Sequence, residues 1–304
     1  MNVTPIILFV YARPRHTEKT LNALSQNFLA EQSDLIIYSD APRSGSDAEN
    51  VKLVRKLINE VTGFKSVTIV HRTENYGLAR SIIEGVSDVI KKYGQAIVLE
   101  DDIETSPFFL TYMNDALDRY KEEKKVWHIS GWNYPINPKG IDEAFFWRAM
   151  NCWGWATWED RWQHYDKNPD HLIKTWDEAK IHSFNLDGTC NFWGQVTANV
   201  SGQINTWAIF WYATIFNNQG LCLNPTISYT KNIGLDGSGE NCEDGSNFYG
   251  QTLSCKKIEL PTLLNENDLA FTKIKKFTKQ TLSKRIYRKI KRTFRIFYNN
   301  NSQT

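Results

Sequence analysis

The chain has 304 residues, 41% of them apolar and 23% charged, which is enough to bury a large core and excludes an intrinsically disordered chain. No run approaches the about 18 consecutive apolar residues of a membrane-spanning helix, and the apolar stretch Ile6–Val10 after a start without basic residues is too short for a signal-peptide core, so a cytosolic start is expected. Five cysteines without Cys-x-x-Cys spacing argue against a disulfide framework and a structural zinc site.

Residues 5 to 131 alternate apolar, β-branched runs with longer helical patterns. Strands are predicted at Ile6–Tyr11, Leu35–Ser39, Val67–His71, Ala96–Leu99 and Val126–Ser130, and helices at about 17 to 29, 47 to 61, 77 to 92 and 106 to 120. Near-continuous apolar strands separated by helices call for a parallel sheet covered on both faces, so the fold class is α/β. Ligands of such sheets sit beyond the carboxyl ends of the strands, which makes the polar residues after each run the ones to weigh.

Those exits are consistently polar. The first strand runs into Tyr11-Ala12-Arg13, the second into Asp40, and the third into Asn75-Tyr76-Gly77-Leu78-Ala79-Arg80, with Arg80 on the first turn of the next helix. The fourth runs straight into Glu100-Asp101-Asp102. Three adjacent carboxylates repel, and a hard divalent cation, Mn²⁺ or Mg²⁺, relieves that repulsion while bridging nucleotide phosphates. The same triplet also reads as an acidic helix start before Ser106-Pro107. Arg13 and Arg80 can neutralise phosphate, and Asp40 can accept hydrogen bonds from a base or ribose.

All eleven tryptophans lie between Trp127 and Trp211. Trp153, Trp155 and Trp158 offer flat faces that suit sugar rings and form a candidate acceptor platform. The competing reading is core packing, because Trp155, Trp158 and Trp162 share one face of a helix at spacings of three and four. Beyond them, Asn232 to Gly250 is rich in Gly and Asn and is expected to be a loop. The last 36 residues hold eleven Lys or Arg and no acid, which leaves 25 basic against 34 acidic residues in the body. In this tail Leu282, Ile286, Ile290, Phe294 and Phe297 recur at helical spacing among basic residues. A basic amphipathic helix over 273 to 297 can lie on an anionic leaflet; a helix packed on the body is the alternative, and nucleic acid is not the expected partner.

The order of these motifs resembles the GT-A glycosyltransferases, and within them the N-acetylglucosaminyltransferase I-like branch and bacterial family 2-like sugar transferases of surface polysaccharide synthesis. The resemblance covers about residues 4 to 250 and is carried by Glu100-Asp101-Asp102, the Cys152-Trp153-Gly154-Trp155-Ala156-Thr157-Trp158 run and the Asn232 to Cys242 loop. It implies a nucleotide-sugar donor-binding half over 1–131, an acceptor half with a donor-closing loop over 132–262 of the same GT-A domain, and a basic tail over 263–304. Asp102 would be the direct metal ligand, Asp101 or Glu100 would contact the donor sugar or ribose, and Asp40 and Arg80 would help bind the nucleotide. Ala12, Arg13, Asn75 and Gly77 would complete the donor side, while Gly237-Ser238-Gly239 would close on the diphosphate.

Two departures stand out. The branch carries its catalytic carboxylate in a Trp-Asp segment, where this chain has Asn205-Thr206-Trp207-Ala208, so Glu159, Asp160 and Asp236 are the substitutes for the base. Asn241 stands where the branch often has His, and an amide can bind phosphate but not titrate near neutrality. The expected activity is metal-dependent transfer of a sugar to a glycan or lipid-linked acceptor, cytoplasmic and peripheral on the inner membrane face. A non-catalytic glycan- or membrane-binding module and a sugar-nucleotide pyrophosphorylase are the alternatives; the latter lacks a Gly-rich loop after its first strand.

Overall fold

The computed structural model describes residues 3–235 and 251–279. Its strands are β1 (Ile6–Val10), β2 (Asp34–Ser39), β3 (Ser66–His71), β4 (Gln95–Glu100), β5 (Ile103–Thr105), β6 (Val126–Ser130), β7 (Ala144–Trp147), β8 (Trp155–Trp158), β9 (Leu221–Pro225) and β10 (Thr230–Asn232). The helices are α1 (Pro14–Ser25), α2 (Gly45–Asn59), α3 (Gly77–Tyr93), α4 (Phe109–Tyr120), α5 (Glu159–Trp162), α6 (Pro169–Thr175), α7 (Glu178–Phe184), α8 (Trp193–Val200) and α9 (Ala208–Asn217). The mixed α/β class expected from the sequence holds: eight strands form one sheet in the order β3-β2-β1-β4-β8-β6-β9-β7, with helices on both faces.

The four strands of the first half are parallel, and β1 and β4 are covered on both sides, which is why they read as unbroken apolar runs. Side chains alternate between the two layers. Ile7, Phe9 and Val98 face the layer of α3, whereas Ile6, Leu8, Val10, Ile97 and Leu99 face that of α1 and α4. Helix α1 starts three residues before its expected position because Pro14 supplies the first helical turn with its fixed φ.

The aromatic run departs from the helical reading. Trp155–Trp158 is a strand, wedged antiparallel between β4 and β6. Gly154 admits the turn into it with φ +76, and an added Cβ there would meet the Thr230 methyl at 2.9 Å. Trp155 and Trp158 therefore point to opposite faces of the sheet, and only Trp162, on α5, joins Trp155 in one layer, with ring centroids 5.6 Å apart. The wedge joins the parallel first half to β6, β9 and β7 without a break in the sheet.

A helical stretch over residues 268–279 packs back on the body through Ala270, Phe271, Ile274 and Thr278. Arg148 fastens this region: it pairs with Glu266, hydrogen-bonds Ser183 and lies over the Phe271 ring, while Lys275 pairs with Asp187. Of the segment 273 to 297 expected to meet a membrane, residues 273–279 are thus part of the folded body, and 280–297 lie outside the described residues. Among the described residues no helix is long and apolar enough to cross a membrane.

His128 on β6 is fully buried. Its Nδ1 accepts from Trp211 Nε1 at 3.2 Å, its Nε2 lies 3.0 Å from the Asn151 carbonyl oxygen, and the ring stacks on Trp155. Burial pushes its pKa down to about 3, against a partial opposing pull from the Asn151 carbonyl. The unfolded chain therefore binds a proton that the folded one refuses, so stability should fall as pH drops from about 6.5 towards about 3. Urea denaturation of the protein and of His128→Gln across that range tests this: the substitution should flatten the slope, and an equal slope in both would count against it.

Candidate functional site

The carboxyl ends of β1 to β4 meet at one edge of the sheet, and the acids stand at its centre. Glu100 closes β4, and Asp101-Asp102 form the tight turn into β5. The turn is tied down from three sides. Thr20 Oγ1 on α1 donates to the Asp101 carbonyl at 2.9 Å, Ile233 N donates to the Asp102 carbonyl at 2.8 Å, and β10 pairs with β5 alongside. These acids do not start a helix; α4 begins at Phe109.

Arg13, immediately before α1, is the cation facing them. Its Nη2 hydrogen-bonds Asp101 and lies 2.9 Å from Asp102 Oδ2. Asp101 and Asp102 are 3% and 4% exposed, so this pairing is shielded from water. Burial pulls the Arg13 guanidinium down, and the two aspartates more than reverse it, so it stays charged. Burial, followed by Asp102 and Asp101, pushes Glu100 up to about 8. Burial likewise raises Asp101, opposed by Arg13. Among the described residues one guanidinium therefore faces three carboxylates, and the turn is short of positive charge.

That deficit is the test of whether the residues suit a divalent cation. Among the described residues Asp102 Oδ1 is buried and has no hydrogen-bond partner, and Arg13 Nη1 is in the same condition. A buried carboxylate oxygen left open costs about 1–3 kcal/mol, and hard oxygen is the ligand type that Mn²⁺ and Mg²⁺ take. Among the described residues no three His, Cys, Asp or Glu side chains are grouped to cage a metal. A site of this kind fits a cation held by one or two carboxylates, with substrate phosphates and water supplying the rest.

The second and third strand exits form a separate, tightly bonded cluster. Asp40 accepts from Ala41 N at 2.9 Å, from Tyr76 N and from Gly77 N at 2.9 Å, so both its oxygens are used in capping α3. Expected to touch the nucleotide, Asp40 here holds the Asn75–Gly77 turn against the end of β2, where Asn75 Nδ2 also donates to the Ala41 carbonyl. Gly77 enters α3 with φ +69, a conformation that favours glycine. Arg80 is exposed, pairs with Glu84 at 2.7 Å and lies flat on Tyr76, so its charge is already engaged on α3. Ala12 is half-buried in the exit turn between β1 and α1.

Several expected residues lie elsewhere. Trp158 pairs with Gln95, at the amino end of β4, and Glu159 N donates to the Gly94 carbonyl. Glu159 and Asp160 therefore sit at the opposite edge of the sheet from Asp102, about 20 Å away at roughly 3.3 Å per strand residue. No catalytic base can work across that distance; moreover Asp160 is paired with Lys124 and Arg161. Trp155 and Trp158 are 1% and 4% exposed, one stacked on Trp207 and the other donating Nε1 to the Leu117 carbonyl, so neither presents a face to a sugar. Trp153 is different: it precedes the turn into β8, whose first residue Trp155 pairs with Val98, and it is half-buried and edge-on to Trp132. Asp236, Ser238 and Asn241 lie outside the described residues.

Further contacts brace the same edge. Tyr11 Oη donates to Asp47 Oδ2 and accepts from Arg43 N, linking the β1 exit to α2. Arg72 is sandwiched between the rings of Tyr38 and Tyr76. Gln251 accepts from Trp132 Nε1 and donates to the Asn133 carbonyl.

Residues 1–179 match the family model described as the GNT-I family. No curated protein matches the sequence. Among solved structures the chain is similar to the mannosyltransferase PcManGT from Pyrobaculum calidifontis, in complex with GDP-Man and Mn²⁺, with 8% identity, a TM-score of 0.36, and 70% of this chain and 68% of that chain covered. It is also similar to the apo form of mouse xyloside xylosyltransferase 1, with 8% identity, a TM-score of 0.37, and 71% and 82% of the two chains covered.

The capping role of Asp40 makes a stability prediction. Asp40→Ala removes a buried acceptor for three amides and should cost about 2–3 kcal/mol in urea denaturation. A loss below about 0.5 kcal/mol, the ordinary surface value, would contradict it.

Proposed function

The chain belongs to the GNT-I family of glycosyltransferases, and from that premise we propose that it moves a sugar from a nucleotide-diphosphate donor to a glycan or lipid-linked acceptor, with a divalent cation at Asp102. The observation that carries the proposal is the buried, unpartnered Asp102 Oδ1 beside an acidic turn balanced by a single arginine. Mn²⁺ or Mg²⁺ bound there would offset the charge developing on the leaving diphosphate.

The chain's own groups do the remaining work in this reading. Arg13 pairs with both Asp101 and Asp102 and has its Nη1 left over for a phosphate oxygen. Glu100, with its raised pKa, can donate or accept a hydrogen bond at a donor hydroxyl. The Asn75–Gly77 turn, braced by Asp40, borders the nucleoside side of the edge. Trp153, half-buried where Trp155 and Trp158 are fully packed, is the tryptophan of the run suited to contact an acceptor. A role in surface polysaccharide synthesis, with attachment to the inner membrane face through the basic tail, follows from the acceptor class and the charge asymmetry of the sequence.

Calorimetry with UDP and GDP tests the cation site. Binding should require Mn²⁺, and Asp102→Ala should abolish the Mn²⁺-dependent part while leaving the near-ultraviolet circular dichroism spectrum of the folded protein unchanged; equal affinity in the variant would remove the site. For the membrane, deleting 280–304 spares the packed residues Ile274 and Thr278. The deletion should release the protein from anionic vesicles without lowering turnover on a soluble acceptor, and continued co-sedimentation would rule out the tail as the anchor.

A further inference from the structure

We infer that Gly234 is a positioning residue for the cation site: having no side chain, it lets the backbone after β10 lie directly on Asp102 and hold that carboxylate against Arg13. The inference rests on the reading of Asp102 as the cation's ligand and adds to it the element that fixes its geometry.

Gly234 is buried, and its backbone is not in the left-handed region. Other residues could adopt its conformation, so glycine is needed here for space. A Cβ at this position would stand 2.3 Å from Asp102 Oδ2, 2.8 Å from Arg13 Nη1 and 3.0 Å from Asp102 Cβ. The strand that delivers Gly234 is firmly seated. Asn232 pairs with Ile103, Ile233 N donates to the Asp102 carbonyl at 2.8 Å, and Gly234 N donates to Asn232 Oδ1 at 2.7 Å.

The Oδ2 side of Asp102 is consequently closed. Arg13 Nη2 takes Oδ2 at 2.9 Å, residue 234 faces the same Oδ2 and Arg13 Nη1 too closely for a side chain, and Oδ1 is left without a partner among the described residues. The pairing and the close approach together leave Oδ1 as the carboxylate atom available to a ligand, the kind of support that outer-shell groups give to metal ligands. When a methyl group is added at 234, the ladder holds the backbone in place, and what must yield is the ends of the Asp102 and Arg13 side chains. The fold survives such a change, but the carboxylate orientation does not.

Titration of the full-length protein with Mn²⁺ alone, following the free ion by electron paramagnetic resonance, tests the inference without reference to turnover. Gly234→Ala should weaken Mn²⁺ binding by about 10- to 100-fold, the usual cost of losing outer-shell support, with an unchanged near-ultraviolet circular dichroism spectrum. Asn232→Ala, which frees Gly234 N without adding bulk, should weaken it in the same direction. Asp102→Asn sets the floor. If Asp102→Asn binds Mn²⁺ as the native protein does, the cation site itself is wrong and the inference falls with it. If Asp102→Asn loses the ion while Gly234→Ala and Asn232→Ala retain native affinity, only the role of Gly234 is overturned. Should Gly234→Ala fail to fold, native affinity in Asn232→Ala alone overturns it.

Discussion

Three consecutive carboxylates, one closing a buried strand and two on the turn after it, are an electrostatic liability, and much of this sheet edge is organised around containing it. Glu100, Asp101 and Asp102 follow four residues with no exposed surface, so bulk water screens them poorly. The protein answers with a guanidinium at the mouth of α1, a Thr20 hydroxyl on the Asp101 carbonyl and the β5–β10 pairing. The compensation stops short of neutrality: Glu100 holds a proton more tightly than an ordinary carboxyl, and Asp102 Oδ1 has no partner. Polar atoms left open in this way are rare in folded proteins and tend to be kept where a ligand completes them.

The rest of the sheet supports that turn by antiparallel bracing. β8 lies between β4 and β6 and closes what would otherwise be an exposed edge of the parallel half. Its tryptophans fill the layers above and below: Trp155 stacks on His128 and Trp207, and Trp158 lies under the Arg161 guanidinium. The aromatic density of this half is thus mainly the means by which a mixed sheet is covered on both faces. Trp153, half-buried just before the strand begins, is the tryptophan of the run that neither layer fully buries.

The parallel half was legible in the sequence because its signals are local. Apolar runs separated by helix-period segments located β1 to β4 and β6 within a residue or so, and the polar exits identified Arg13 and the acid triplet before any contact was known. What was not legible depends on pairing between distant segments. A spacing of three and four in Trp155, Trp158 and Trp162 favours a helix until β4 and β6 claim the backbone between them. The direction of β8, which carries Glu159 and Asp160 to the far edge, is fixed by its antiparallel register with β4 and by nothing in its own composition. Asp40 illustrates another limit: its residue type suits a nucleotide ligand, but its oxygens cap α3, and only the fold shows which amides converge on it.

The acidic turn and the start of β10 are far apart in the chain yet form one structural unit, and this bears on how a donor site can be assembled on such a sheet. Asp102 is anchored by its backbone to Ile233 and by its side chain to Arg13, so its carboxylate is positioned jointly by the first strand's exit, the fourth strand's exit and the segment leading away from β10. A carboxylate held by three chain segments loses little rotamer freedom when it binds a cation, and the entropic cost has already been met in folding. Rigidity of this kind favours binding only if the open oxygen points at the ligand, which makes the close approach of residue 234 a matter of chemistry as well as packing.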